Sequence, residues 1–250
     1  DQWVPGWDLG PDVTLETLLN HTSGVPNYIE HSSFFGGVQS EISAEDVVRL
    51  ALELNRDHAP GAGFTYSNTN YFLLAWVLEA VEDGVYHEIL RGRLLEPSGL
   101  PDVYLEGYEP ASCEPVRGHL LGDASFIDEV HFSWIWAAGG LVANLDDQCE
   151  WMQKLVTGGD VVGADSREKM QTPTQYSQEA DVPYGVGMQI LPRSGRTVYG
   201  HIGTTAGFHG VTLVDRDDGT CITSATNDFS ANYSAIDIPV WEAVDAYLRQ

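Results

Sequence analysis

PGAGFTYSNTNYFLLAWVLEAV, residues 60–81, carries the strongest local signal in the chain. A Pro/Gly-rich loop passes through Tyr66-Ser67-Asn68 and enters an apolar helix. Gly61 and Gly63 let the backbone turn tightly. From Tyr71 to Val81 only Glu79 is charged, so the helix is expected to be buried on most sides. A phenol, a hydroxyl and an amide at the mouth of a rigid helix form a candidate reactive site. The plainer reading of the same residues is that Ser67 or Asn68 caps the helix and Tyr66 packs.

Upstream of this stretch, Thr14 caps a short helix with Leu15, Leu18 and Leu19 on one face, ending in the polar turn Asn20-His21-Thr22-Ser23-Gly24. Residues 27–39 read as a loop in which Phe34 and Phe35 cover a cleft. Ser43 starts a second helix with Val47, Leu50, Ala51 and Leu54 inward. Downstream, a helix spans 86–95, stopped by Pro97 and Gly99, and residues 100–136 read as loops and short turns. Ala138-Gly139-Gly140 suits close backbone approach. Asn144 caps a helix closing at Gly158-Gly159, and a shorter one spans 165–171.

Near Tyr184 the texture changes. Residues 184–190, 197–201, 208–215 and 220–227 are short strand-like runs joined by Gly/Asp turns, with Arg216-Asp217-Asp218-Gly219 as a hairpin signal. Residues 235–248 close the chain as a helix with Pro239 in its first turn. Helices followed by an antiparallel sheet and a terminal helix make an α+β layout. The expected division is a mainly helical lobe over 1–180 and a sheet with its helix over 181–250, together forming one catalytic domain.

Composition narrows the function. The chain has 250 residues, 12 basic against 37 acidic, and a formal charge of −25. No basic block exists to track a phosphate backbone, so nucleic acid is not an expected partner. Only Lys154 and Lys169 are lysines, and the acids are spread along the chain. Both features fit a halophilic protein, whose self-repulsion is screened at high salt. Cys113, Cys149 and Cys221 form no CxxC pair and are odd in number, so buried thiols are expected and not a disulfide framework. The eight histidines show no zinc spacing, so no metal is expected. No signal peptide opens the chain, and the most apolar run, Tyr71 to Leu78, is too short to cross a bilayer.

A second candidate site is Gly200-His201-Ile202-Gly203-Thr204-Thr205-Ala206-Gly207-Phe208, expected at a hairpin. Its glycines leave backbone N–H groups open to a ligand carbonyl or oxyanion, and His201 adds a titratable donor.

Five segments then occur in a telling order: His21-Thr22-Ser23-Gly24, Tyr66-Ser67-Asn68, Ala138-Gly139-Gly140-Leu141, Tyr184-Gly185-Val186-Gly187 and Gly200-His201-Ile202-Gly203. This series resembles the penicillin-recognising serine hydrolases: class C β-lactamases, D-alanyl-D-alanine carboxypeptidases, D-aminopeptidases and related esterases. The resemblance covers nearly the whole chain. It implies a β-lactamase/transpeptidase-like α+β fold, a helical lobe beside an antiparallel sheet flanked by helices. It also implies hydrolysis of a small-molecule or peptide substrate through an acyl-enzyme, with no cofactor. On this resemblance Tyr66 is the proton shuttle of the serine, and Asn68 holds the motif lysine and the substrate amide. His201 faces a substrate carboxylate, and Gly203 and Thr204 form the oxyanion side, the Thr204 N–H donating.

One departure matters. The family's Ser-x-x-Lys motif precedes the tyrosine, yet no lysine occurs anywhere in residues 1–65. The literal match, Ser166-Arg167-Glu168-Lys169, lies far downstream in an ordinary capped helix and lacks the structural context of a nucleophile. The expectation is therefore a truncated serine acyl-hydrolase, its N-terminal strands and nucleophile helix missing and these residues inactive on their own. The alternative is a catalytically silent binding or scaffolding protein of the same fold.

Overall fold

Helix starts follow their capping side chains. In the computed structural model, which describes residues 6–34, 38–111, 114–123, 128–232 and 234–248, Thr14 accepts the Thr17 N–H at 3.2 Å and opens α1 (Leu15–Leu19). Ser43 accepts the Asp46 N–H at 3.0 Å and opens α2 (Ala44–Leu52), whose Val47, Val48 and Ala51 are buried. Each such cap satisfies an otherwise orphaned N–H and is worth about 1 kcal/mol. The apolar helix, α3, spans Thr69–Glu82 and ends on a left-handed Asp83. Both of its charges are used: Glu82 pairs with Arg93, and the Glu79 carboxylate accepts the Tyr86 N–H at 2.8 Å at the start of α4 (Tyr86–Leu90), which continues as a wider turn over Arg91–Leu95.

Two compact units emerge. The first comprises Asp1–Ser112, Val130–Val142 and Gln175–Ala180. Its core is aromatic: Phe72 of α3 meets Tyr28 at 5.4 Å and Trp136 at 5.2 Å between ring centroids, and Phe34 meets Trp134 at 5.1 Å. Phe34 is therefore a buried core residue, a correction to the exposed position expected from its loop-like surroundings. Phe35, its expected companion, lies outside the described residues. Within 100–136, read as loops, Tyr104–Leu105 (β1) pairs antiparallel with Leu141–Val142 (β2). These two-residue strands are too short to leave a period in the sequence.

The second unit comprises Cys113–Glu129, Ala143–Thr174 and Asp181–Gln250. Residues 143–174 thus fall in the same unit as the sheet. The sheet is an antiparallel meander, β3 (Gln189–Arg193), β4 (Arg196–Thr205), β5 (Phe208–Asp215) and β6 (Cys221–Thr226), in that order. Side chains alternate between its faces as period-two geometry requires. Ile190, Tyr199 and Val214 pack with Leu155 and Val156 of α5 (Leu145–Thr157), while Val198, Val211, Leu213 and Ile222 pack with Trp241 of α8 (Ser234–Leu248). Between α5 and α8 come α6 (Ala164–Met170) and, in the first unit, α7 (Gln175–Glu179). The expected turn at 216–219 is held by Arg196, which bonds Asp215 at 2.5 Å and Asp218 at 2.7 Å.

Two readings are corrected in this unit. The run at 184–190 is mostly turn, with Tyr184 bridging to Gln189 before β3 begins. Cys149 and Cys221, expected as thiols, form a disulfide that ties α5 to β6, their Cα atoms 6.0 Å apart and 72 positions apart in sequence. Cys113 lies outside the described residues.

Candidate active site

In the first unit the segment 20–28 and the segment 64–71 are laced together by buried polar groups. Asn20, His21, Thr22, Ser23, Asn27, Ser67, Thr69 and Asn70 are all buried. Burying polar atoms is costly unless they are bonded, and a set of specific bonds joins the two segments. The Ser23 hydroxyl donates to Asn70 Oδ1 at 2.8 Å, and Thr69 Oγ1 donates to the Pro26 carbonyl at 2.7 Å while accepting the Tyr28 N–H at 3.1 Å. Gly24 is required here. Its φ is +66°, and a Cβ would collide with the His58 carbonyl oxygen. The two sequence motifs His21-Thr22-Ser23-Gly24 and Tyr66-Ser67-Asn68 are thus one physical object.

Neither Ser67 nor Asn68 caps α3 through its side chain. Ser67 is fully buried and its hydroxyl donates to the Pro26 carbonyl at 3.1 Å. Asn68 makes no capping bond, and its N–H and side-chain amide both point at Asn27 Oδ1, at 3.3 and 3.4 Å. Asn27 is a residue that motif reading missed. No spacing rule links it to position 68, which it reaches only through the fold. Burial pushes the Tyr66 phenol up to about 12, so in this chain it is a neutral hydrogen-bonding group. A shuttle role at neutral pH needs a cation beside it.

In the second unit, His201, Gly203 and Thr204 lie on β4, which runs through the glycine-rich segment and turns only at Ala206-Gly207. A Cβ at Gly200 would strike the Thr212 carbonyl of β5, whereas Gly203 faces open space. β3 pairs with β4 no further than Gly200, so among the described residues the strand ladder at 201–205 runs only to β5. In an antiparallel ladder, N–H groups alternate between the two sides. The Ile202 N–H points to the β3 side, where Gln189 Oε1 accepts it at 2.8 Å. Two residues on, the Thr204 N–H points the same way, beyond the end of β3.

His201 has a defined protonation pattern. Its Nδ1 lies 2.7 Å from the Ile202 carbonyl, which can only accept, so Nδ1 carries the proton. Nε2 is left to accept from the Tyr184 hydroxyl at 3.2 Å. Burial lowers the His201 pKa, partly offset by the carbonyl bond. Both nitrogens are engaged in the neutral ring. Thr204 is likewise oriented by a histidine absent from the motif reading. His209 Nε2 donates to the Phe229 carbonyl at 2.5 Å, so its Nδ1 accepts the Thr204 hydroxyl at 2.8 Å. The strand register that brings Thr204 opposite His209 is the signal that would have found it.

A family profile described as Beta-lactamase matches residues 2–244. Penicillin-binding protein 4* of Bacillus subtilis (strain 168) is 28% identical over 230 residues, covering 83% of this chain and 49% of that protein. A D-aminopeptidase of Brucella anthropi is 29% identical over 209 residues, covering 78% and 38%. The chain therefore spans half or less of the length of these curated relatives. Among solved structures, a D-stereospecific amidohydrolase from Streptomyces sp. superposes with a TM-score of 0.80 at 27% identity, covering 91% of this chain and 73% of that one. The D-amino acid amidase of Ochrobactrum anthropi SV3 in complex with L-phenylalanine amide shares the fold, with a TM-score of 0.84 at 21% identity over 99% of this chain and 76% of that one. With residues 2–244 matched, this chain belongs to the beta-lactamase family of penicillin-recognising serine hydrolases.

Proposed function

We infer that this chain carries the tyrosine–asparagine and oxyanion parts of a serine acyl-hydrolase acting on amide or ester bonds, and that these 250 residues are catalytically silent without a Ser-x-x-Lys segment. The observation that carries the reading is the Thr204 N–H, aimed past the end of β3 on a strand whose Gly203 leaves the approach open. In the reaction the serine oxygen attacks the acyl carbon and its proton passes by way of Tyr66. The oxyanion accepts the Thr204 N–H, and collapse expels the protonated amine or alcohol. Water then attacks the acyl-enzyme and regenerates the serine. The motif lysine supplies the cation that Tyr66 needs to work below its present pKa of about 12.

The neutral, doubly bonded His201 favours an uncharged amide or ester over a substrate carboxylate at that position. The Cys149–Cys221 disulfide supports residence in an oxidising compartment. A silent binding protein is the second reading, favoured by the missing lysine and by the un-ionised Tyr66. The two are separated by turnover. Joined to a family Ser-x-x-Lys segment, the chain is expected to hydrolyse a D-amino acid amide, and the 250 residues alone are not. Absence of turnover from a folded, complemented protein would favour the binding reading.

A further inference from the structure

The structure assigns His21 as the positioning residue of Tyr66. It brackets the tyrosine on both sides: the His21 carbonyl accepts the Thr65 N–H at 3.1 Å, and His21 Nδ1 accepts the Ser67 N–H at 3.1 Å. The imidazole also lies against the phenol, ring centroids 4.1 Å apart and tilted by 35°. Tyr66 is thus gripped through the backbone of each neighbour and through its own ring.

Three further observations show that this grip is built. First, His21 sits at φ +60°, a left-handed conformation that a residue of its bulk adopts at a cost of about 1 kcal/mol or more. That conformation allows its carbonyl and its ring to serve the same short segment. Second, the side chain is wholly buried. Third, Nδ1 also lies 3.3 Å from the Asn70 amide nitrogen, and Asn70 is oriented by the Ser23 hydroxyl at its Oδ1. Two N–H donors converge on Nδ1, so the ring proton sits on Nε2. His21 is therefore a fixed acceptor whose geometry sets where the Tyr66 hydroxyl is presented.

The consequence for catalysis rests on the proposed hydrolase reading, but the assignment itself does not need turnover, so the two fail separately. The experiment is NMR on the 250-residue chain, with ring-labelled histidine and with labelled tyrosine assigned through Tyr66→Phe. In the wild type, His21 is expected as the Nε2–H tautomer, and finding it as Nδ1–H or as imidazolium overturns the proposal even if every variant fails to fold. In His21→Gly, which keeps the left-handed backbone and removes the acceptor and the ring, Tyr66 is expected to titrate at least about one pH unit lower, towards the free phenol value of ~10. His21→Asn tolerates the same φ and restores an acceptor near the Nδ1 position, and it is expected to recover half of that shift or more. A Tyr66 midpoint unchanged in His21→Gly, or no recovery in His21→Asn, reduces His21 to a structural residue and refutes the assignment.

Discussion

Reducing the Cys149–Cys221 disulfide should destabilise the second unit by about 4 kcal/mol. The bond closes a loop of 72 positions between α5 and β6. Loop-closure entropy rises slowly with length, from ~3 kcal/mol for 15 residues to ~4.7 for 100, which places this loop near the upper end. The bridge also joins elements that share a core, with Cys221 packed against the cluster that contains Leu155, Val156 and Val214, so the folded state is already organised around it. At 2–4 °C per kcal/mol for a chain of this size, the melting midpoint should fall by about 10 °C on adding a phosphine reductant. The assay is a thermal melt with and without reductant, with alkylation counted by intact mass. Under denaturing, non-reducing conditions only Cys113 should alkylate. A double variant, Cys149→Ala with Cys221→Ala, should melt low and ignore the reductant. An unchanged midpoint in the wild type, or three alkylated cysteines before reduction, refutes the reasoning.

Acid and alkali should each weaken the fold through named groups. His201 is held below its ordinary value, so the unfolded chain alone binds its proton below about 6.5; stability is complete above that pH and falls as pH drops towards the folded value. His201→Gln should flatten that limb of a melting-versus-pH curve. Tyr66 and Tyr86, each pushed up to about 12 by burial, remain protonated in the folded chain while the unfolded phenols ionise near 10. Stability should therefore fall between pH 10 and 12 by about 1.4 kcal/mol per unit per phenol, and Tyr86→Phe should remove one share. Thr204→Pro deletes the outward N–H without costing a bond to β5. In a protein complemented with Ser-x-x-Lys it should lower kcat by about 10²-fold, while Thr204→Val, which keeps the N–H, changes it far less. Potassium chloride in the molar range should raise the melting temperature of a chain of charge −25, and a flat or falling response removes the halophilic reading.

What was legible in the sequence is what short-range chemistry determines. Thr14, Ser43 and Asn144 start their helices because each supplies an acceptor for an N–H three residues on. The 216–219 turn is legible because Asp and Gly suit tight turns. Long-range facts were hidden. The Gly-rich segment reads as a hairpin and does turn at Ala206-Gly207, but a strand ending at His201 is too short, because β5 pairs with β4 as far as Thr205. Neither the 72-position disulfide nor the Asn27–Asn68 contact follows from any local spacing. His21 was visible as part of a motif, but its left-handed φ and its hold on Ser67 belong to the folded backbone. The site was therefore legible as residue types in order. Its protonation states and its supporting shell were not.

The most direct test of the hydrolase reading is acylation by a serine-directed probe, a penicillin or a fluorophosphonate, read by intact mass. The 250-residue chain should stay unlabelled, Ser67 and Ser166 included, because Ser67 is buried with its hydroxyl on the Pro26 carbonyl. The same chain bearing a Ser-x-x-Lys segment should gain one adduct on that segment's serine, and much more slowly with Tyr66→Phe. An adduct on the 250-residue chain itself, or labelling of the complemented protein at the same rate with Tyr66→Phe, would contradict the account.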